Sequence, residues 1–446
     1  MAKDLFFDRF KGCLYGQAIG DALGLGTEGM TDEDMAWKYP HGLQHYNQIV
    51  QDYHRKRWKV GDWTDDTDMM LCIAHAVIED KDVNYSNIAR HFQMWAQGEP
   101  MGIGLNTYKV LNVADYAEKP FEVSKLVWKM SRYQSAANGG VMRTSVVGLF
   151  PSHITECAEN ICKLTHYDPR CVGSCVIVSN LIHALVYGHK APRYQDMIET
   201  AMDYDERIAD YIDLAWNEND INKLMDDEHM GYTLVTLSVA LWAYWHAKSF
   251  EDGLLAVVNA GGDADTNAAV ACAILGAKFG FSSISEEYVE GLIYRNQLDE
   301  TVDGLWTICR LRQVRQLYTE TEKGLTSRLF YQVAMSLSRT AEKTGLSYNE
   351  INILVYYLLI PLSWTVLFDI GIKIPLTTPI LLLAWLLLWI VKRKHFRKWC
   401  DRAFGMSVQF LLFFKRIGWN YELASVIICV VLPLLIYAVL IVNIIC

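Results

Sequence analysis

The last hundred residues hold three apolar runs that a water-soluble fold has little use for, and they divide the chain between two solvents. Residues 353–372 (ILVYYLLIPLSWTVLFDIGI), 374–391 (IPLTTPILLLAWLLLWIV) and 424–446 (ASVIICVVLPLLIYAVLIVNIIC) are each long enough to cross a hydrocarbon core of ~30 Å. The third carries no charge. The first contains Pro361, which removes a backbone hydrogen bond, and Asp369, which is costly at depth but lies near the end of its run. A soluble apolar bundle is the alternative, but three such runs so close together favour a membrane region over 351–446. Its basic flanks, Lys323, Arg328, Arg339 and Lys343 before the first run and KRKHFRKWCDR at 392–402, are expected in the cytoplasm, which makes the first two spans a hairpin. Residues 403–417 (AFGMSVQFLLFFKRI) hold an apolar stretch too short to span and read as an interfacial helix.

From Asp4 to about Arg315 the pattern differs. Apolar residues recur at helical spacing between short Gly, Asp and Asn punctuation, and strand-like alternation is sparse, so the region reads as one mostly helical domain, 1–315, followed by a polar linker at 316–350. Helices are expected near 5–23, 66–79, 86–98, 123–131, 154–164, 171–187, 232–248, 251–258, 265–278 and 285–295. A net charge of −10 argues against a polymeric nucleic acid as partner, since binding phosphates needs clustered Lys and Arg. The eleven cysteines include no CxxC pair, Cys171 and Cys175 being the nearest approach, and read as free thiols of a reducing compartment. Met1–Phe10 shows no secretory signal.

Two acidic clusters carry the chemistry, each opening an apolar helix: Asp62-Trp63-Thr64-Asp65-Asp66-Thr67-Asp68 and Asp263-Ala264-Asp265-Thr266-Asn267. One acid per helix start is ordinary, because it caps free N–H groups and meets the positive end of the helix dipole. Several packed into one turn repel each other unless a cation offsets them. Carboxylates and hydroxyls are hard ligands that suit Mg²⁺, Mn²⁺ or Ca²⁺. If the two starts converge, Thr64, Asp65, Asp66, Asp263, Asp265 and Thr266 could hold two cations.

Gly12, Gly16, Gly20 and Gly24 form a smooth stripe at four-residue spacing, suited to close helix packing. Asp21 closes that helix, and Glu28 follows between Gly26 and Gly29 in a turn able to carry a movable carboxylate. Asn138-Gly139-Gly140 is a turn whose backbone could approach a phosphate or sugar, although an ordinary loop reads the same way. His166 precedes another helix.

Taken in order, KGCLYGQAIGDALGLGTE, GDWTDDTDMM, NGGVMRT, Thr165-His166 and NAGGDADTNAAVACAILGAKFG resemble the ADP-ribosylglycohydrolase family, over about residues 8–310. The resemblance implies an all-α orthogonal bundle and two Mg²⁺ or Mn²⁺ ions at the bottom of an ADP-ribose cleft. It assigns Thr64, Asp65, Asp66, Asp263, Asp265 and Thr266 as metal ligands, and Asn138, Gly139, Gly140 and His166 to ADP-ribose. Glu28, Asp66 and Asp265 are the expected catalytic carboxylates. The implied reaction is hydrolysis of an ADP-ribosylated protein or small molecule, releasing ADP-ribose. A membrane-bound sensor that binds ADP-ribose or a nucleotide without turnover is the alternative. A purely structural role ranks last, because it gains nothing from packed like charges.

Overall fold

The computed structural model describes residues 5–225, 230–320, 325–414, 419 and 421–445. Leu5–Ile308 forms one compact unit and the chain from Cys309 onward belongs to a second. Among the described residues there is no strand, only an isolated antiparallel bridge between Ala137 and Tyr232. The fold is all-α, as expected.

The glycine stripe determines how the first unit is built. Helix Leu5–Gly24 runs antiparallel to helix Ala264–Phe279, and they meet backbone to backbone. A Cβ on Gly12, Gly16, Gly20 or Gly24 would overlap the carbonyl oxygen of Gly276, Cys272, Ala268 or Ala264 respectively. Each step of four on one helix matches a step of four on the other, so the contact persists along the whole crossing. One consequence concerns the site. The C-terminal end of the first helix, with Asp21, lies beside the N-terminal end of the other, with Asp265.

Helix Pro169–Tyr187 is apolar and long enough to cross a membrane, yet Cys171, Val172, Cys175, Val178 and Leu181 are among its many buried residues. It is a core helix, apolar all round because it is covered all round. Helices Asp65–Asp80, Thr233–His246 and Phe250–Val258 match their sequence expectations closely. The helix expected at 285–295 is instead two, a short helix, Glu286–Gly291, and a separate long one, Arg295–Glu320. Short helices at Asp32–Lys38, Leu105–Leu111, Tyr194–Met202 and Glu206–Asn217 are additional.

In the second unit two helical stretches, Tyr348–Ile372 and Leu423–Ile444, are long and apolar enough to cross a membrane. The run expected as a span at 374–391 forms a helix of 16 residues, Thr377–Lys392, because Pro375 and the turn before it take up the start of the run. At 1.5 Å per residue that helix is about 24 Å long, short of a full hydrocarbon core. The stretch expected as a linker contains a regular helix, Leu325–Thr344. The interfacial candidate lies within helix Phe396–Phe413, while residues 415–417 of that reading fall outside the described residues.

Both prolines inside the long apolar helices are preceded by a π-turn, Leu354–Leu359 before Pro361 and Ile427–Val431 before Pro433. Widening the helix lets the chain continue past a residue with no N–H. The carbonyl of Tyr357, which an α-helix would pair with residue 361, accepts from the Trp385 indole at 3.0 Å. Asp369 is also accounted for. Its carboxylate caps the next helix, accepting from Thr377 N (2.9 Å), Thr377 Oγ1 (2.8 Å) and Thr378 N (2.9 Å).

Candidate active site

The first acidic cluster begins at helix Asp65–Asp80, whose N-cap, Thr64, makes no side-chain cap bond. Capping comes from another element. Asp21 accepts from Thr64 N (3.0 Å), Thr67 N (3.0 Å) and Thr67 Oγ1 (2.6 Å), all buried. Asp21 therefore positions the helix start and leaves Asp65 and Asp66 uncommitted to it. Thr64 Oγ1 donates to Asp66 Oδ2 at 2.9 Å, while Asp66 Oδ1 is buried with no hydrogen-bond partner among the described residues. Asp65 Oδ2 accepts from Gly104 N at 3.3 Å.

The second cluster begins at helix Ala264–Phe279, where Asp263 occupies the cap position and again makes no side-chain cap bond. Gly261 and Gly262 precede it at φ of 70° and 61°, a left-handed turn that a side chain would strain. Gly262 exchanges backbone bonds with the Glu28 loop: Gly29 N donates to Gly262 O (2.7 Å) and Gly262 N to Met30 O (3.3 Å). This pairing brings Glu28 to the cluster. One oxygen each of Glu28, Asp263 and Asp265 lie within 4.8 Å of one another.

The Glu28 loop is tied to a neighbouring loop by side-chain bonds. Buried Arg55 donates from Nε to the carbonyls of Leu25 and Gly26 (2.9 Å each), bonds the Glu28 carbonyl, and pairs with Asp52 at 2.6 Å. His54 Nε2 sits 2.7 Å from Glu28 Oε2. Sequence reasoning missed both residues, since a basic residue in a polar loop carries no signal of what it holds.

The electrostatics show that the two clusters converge. Burial raises the Asp66 carboxyl well above its usual range, and the charges of Asp21, Asp65 and Asp263 push it further. Burial likewise raises Asp265, followed by Glu28, Asp263, Asp66 and Asp21. Desolvation lifts Asp21 to about 7 and Asp65 and Asp263 to about 6. Such an arrangement stores repulsion that a cation would relieve. The residues fit a divalent ion: hard oxygen donors, an orphaned buried Asp66 oxygen, and capping duties transferred to Asp21. Thr266, buried at the same helix start, donates its backbone N–H to Asp265 Oδ1 at 2.8 Å.

Asn138 faces the cluster as a support. Its Nδ2 donates to Asp263 Oδ2 (2.5 Å) and Thr236 Oγ1 (3.0 Å), and Thr236 donates on to Asn267 Oδ1 (2.8 Å). Gly139 and Gly140 are small because other groups press against them. A Cβ on Gly139 would lie 2.7 Å from His166 Cε1, and one on Gly140 would lie 2.9 Å from Cys162 Sγ. His166 is fully buried and held well below its usual range, first by burial and then by the Arg143 charge. Arg143 Nη2 donates to Thr165 Oγ1 (2.7 Å), which lies 2.8 Å from His166 Nδ1. His166 Nε2 is buried with no hydrogen-bond partner among the described residues.

Fold and site together define a helical-bundle protein with a buried carboxylate centre at its helix starts. Within that class, the ADP-ribosylglycohydrolase family profile matches residues 2–316, and the chain belongs to this family. It is 26% identical over 325 residues to ADP-ribosylarginine hydrolase Tri1 of Pseudomonas putida, covering 70% of this chain and 80% of that one. It is 25% identical over 328 residues to the ADP-ribosyl-[dinitrogen reductase] glycohydrolase of Rhodospirillum rubrum, covering 68% and 97%. A solved structure titled ADP-ribosylglycohydrolase-related protein complex shares the fold, with a TM-score of 0.54 and 22% identity over 68% of this chain and 99% of that one. Family and relatives support hydrolysis of ADP-ribosylated substrates.

Proposed function

We propose that this chain cleaves the N- or O-glycosidic bond joining ADP-ribose to a protein or small-molecule acceptor, releasing ADP-ribose. Mg²⁺ or Mn²⁺ ions, two in number, would be held by Thr64, Asp65, Asp66, Asp263, Asp265 and Thr266 and would supply positive charge to orient ribose hydroxyls and stabilise the transition state. Glu28, steadied by His54, is the carboxylate that moves the proton of the attacking water. Asp66 and Asp265 complete the catalytic set by fixing the charge distribution around the sugar. Asn138 holds Asp263, while the Gly139-Gly140 backbone and the unpartnered Nε2 of His166 contact ADP-ribose.

Residues 1–315 carry the activity, and the apolar helices within 351–446 retain it at a membrane by contact with lipid. The basic flanks of those helices support a cytoplasmic catalytic unit. The observation that carries the reading is the convergence of Glu28, Asp263 and Asp265 beside an Asp66 oxygen with no hydrogen-bond partner among the described residues.

The test is ADP-ribose release by the full-length chain in detergent micelles from arginine-linked, serine-linked and small-molecule adducts, with Mg²⁺, with Mn²⁺ and with chelator. Metal-dependent release is expected. Measurable ADP-ribose binding with no release from any adduct would replace the hydrolase by a sensor.

A further inference from the structure

Residues 392–402 hold six Lys and Arg against one Asp, in a chain whose net charge is −10. They lead into helix Phe396–Phe413, which has two different sides. One side, with Cys400 and Leu411 buried, packs on the start of the long apolar helix Tyr348–Ile372. The Tyr348 and Phe404 rings meet edge to face at 5.9 Å, and Tyr357 OH lies 2.6 Å from Ser407 Oγ. At the edge of this contact Asn349 Nδ2 donates to Asp401 Oδ1 at 2.9 Å, so the one acid of the basic run is held by a neutral partner. The opposite side is a stripe at steps of four and three: Lys398, Arg402, Met406, Phe410 and Phe413, all exposed. Its first half is cationic and its second half apolar.

We infer that this stripe binds an anionic phospholipid, its phosphate at Lys398 and Arg402 and its acyl chain along Met406, Phe410 and Phe413. The inference rests on the membrane reading and names the class of lipid that the C-terminal unit prefers. A soluble phosphate or an acidic protein segment gains from the cations but leaves the apolar half in water; a phospholipid meets both halves in the order in which they occur. From Arg402 to Phe413 the helix rises about 16 Å, close to half of a ~30 Å hydrocarbon core, so the apolar half is long enough to accompany an acyl chain. Lys392 and Arg393, exposed just before the helix, add to the charge at the headgroup end. Trp399 lies there between Phe396 (6.0 Å) and Trp385 (6.1 Å), rings of the kind that settle at headgroup level. A zwitterionic headgroup carries its own cation, which Lys398 and Arg402 repel, whereas a net-anionic headgroup is attracted by every basic residue near it.

Two measurements on the full-length chain test it. The first is extraction with alkaline carbonate after reconstitution into phosphatidylcholine vesicles; release of the chain into the supernatant would overturn the membrane reading and this inference together. In the second, phosphatidylglycerol and phosphatidylcholine, each labelled on the acyl chain, are titrated with the full-length chain in non-ionic detergent micelles and followed by fluorescence anisotropy. Phosphatidylglycerol should bind at least about fivefold more tightly. Lys398→Gln combined with Arg402→Gln should abolish that preference, while Arg193→Gln combined with Arg207→Gln, an equal loss of exposed charge in the other unit, should leave it intact. Phe410→Ser should weaken both lipids at least about threefold and keep the preference. For a chain that resists carbonate, any of four results overturns the inference and leaves the membrane reading standing: equal affinities in the parent, a preference that survives in the Lys398/Arg402 variant, unchanged binding of both lipids by Phe410→Ser, or displacement of the labelled lipid by an equal concentration of glycerol phosphate, the headgroup without its tail.

Discussion

In the C-terminal unit Asp369 commits its carboxylate to the start of the following helix, taking three bonds from Thr377 and Thr378. In the Leu5–Ile308 unit Asp66 stands at a helix start, yet it takes one bond from Thr64 and leaves Oδ1 buried without a partner among the described residues. The two residues have the same side chain, although one lies in the last turn of its helix and the other in the first turn of its own. They differ in whether the backbone uses them. Asp21 accounts for the difference, because it reaches across from another helix to cap Asp65–Asp80 and frees the acids already there for another ligand.

The largest effect expected from this comparison is on turnover. Asp265→Asn and Asp66→Asn should each lower ADP-ribose release by about a thousandfold or more, the scale of losing charge stabilisation at a transition state. Neither should lower the melting temperature of the chelated chain, because each removes one of several mutually repelling carboxylates. A variant that stays active, or one that melts far below the parent in chelator, breaks the distinction between the two kinds of acid. Asp21→Ala should behave in the opposite way. It strands Thr64 N, Thr67 N and the Thr67 hydroxyl, at about 1–3 kcal/mol for each buried donor left unpaired, and thermal unfolding in chelator should show the loss directly.

A smaller effect follows from the raised carboxyls. Asp21 stands at about 7, and Asp66 and Asp265 lie well above the usual range, whereas in the unfolded chain all three titrate near ~4. Between those values the folded state binds more protons than the unfolded one, so the stability of the chelated chain falls as pH rises from about 4 through the folded values. A cation offsets the charges that appear. The gain in melting temperature on adding Mg²⁺ should therefore be larger at pH 8 than at pH 5; equal gains would mean that the ion does not bind among these groups.

Much of this was legible in the sequence, and the exceptions share a cause. The glycine stripe, the paired acids and the long apolar runs are periodic or locally dense, so spacing alone exposes them. The Asp21 cap, the Arg55 clamp and the Arg143–Thr165–His166 relay join residues brought together only by folding, and single polar residues give no sign of their partners. Helix Glu206–Asn217 went unread because Ile208, Ile212 and Ala215 form a thin buried stripe among charges. The contact that brings the Glu28 turn to the second cluster is hidden for the same reason: its glycines are visible in sequence, but the backbone pairing with Gly262 is not.

The smallest effect probes the C-terminal unit, where polar groups are expected to be structural. Pro361 cannot donate to Tyr357 O, and the Trp385 indole takes that carbonyl instead. Trp385→Phe should strand it, costing about 1 kcal/mol of thermal stability in micelles with no change in ADP-ribose release. Pro361→Ala supplies the missing N–H from within the helix. In that background Trp385→Phe should cost less, by a coupling energy of about 1 kcal/mol. Additive losses would mean that the indole does not substitute for the proline's missing donor. A fall in turnover in either single variant would show that the apolar helices act on the catalytic unit, beyond retaining it at a membrane.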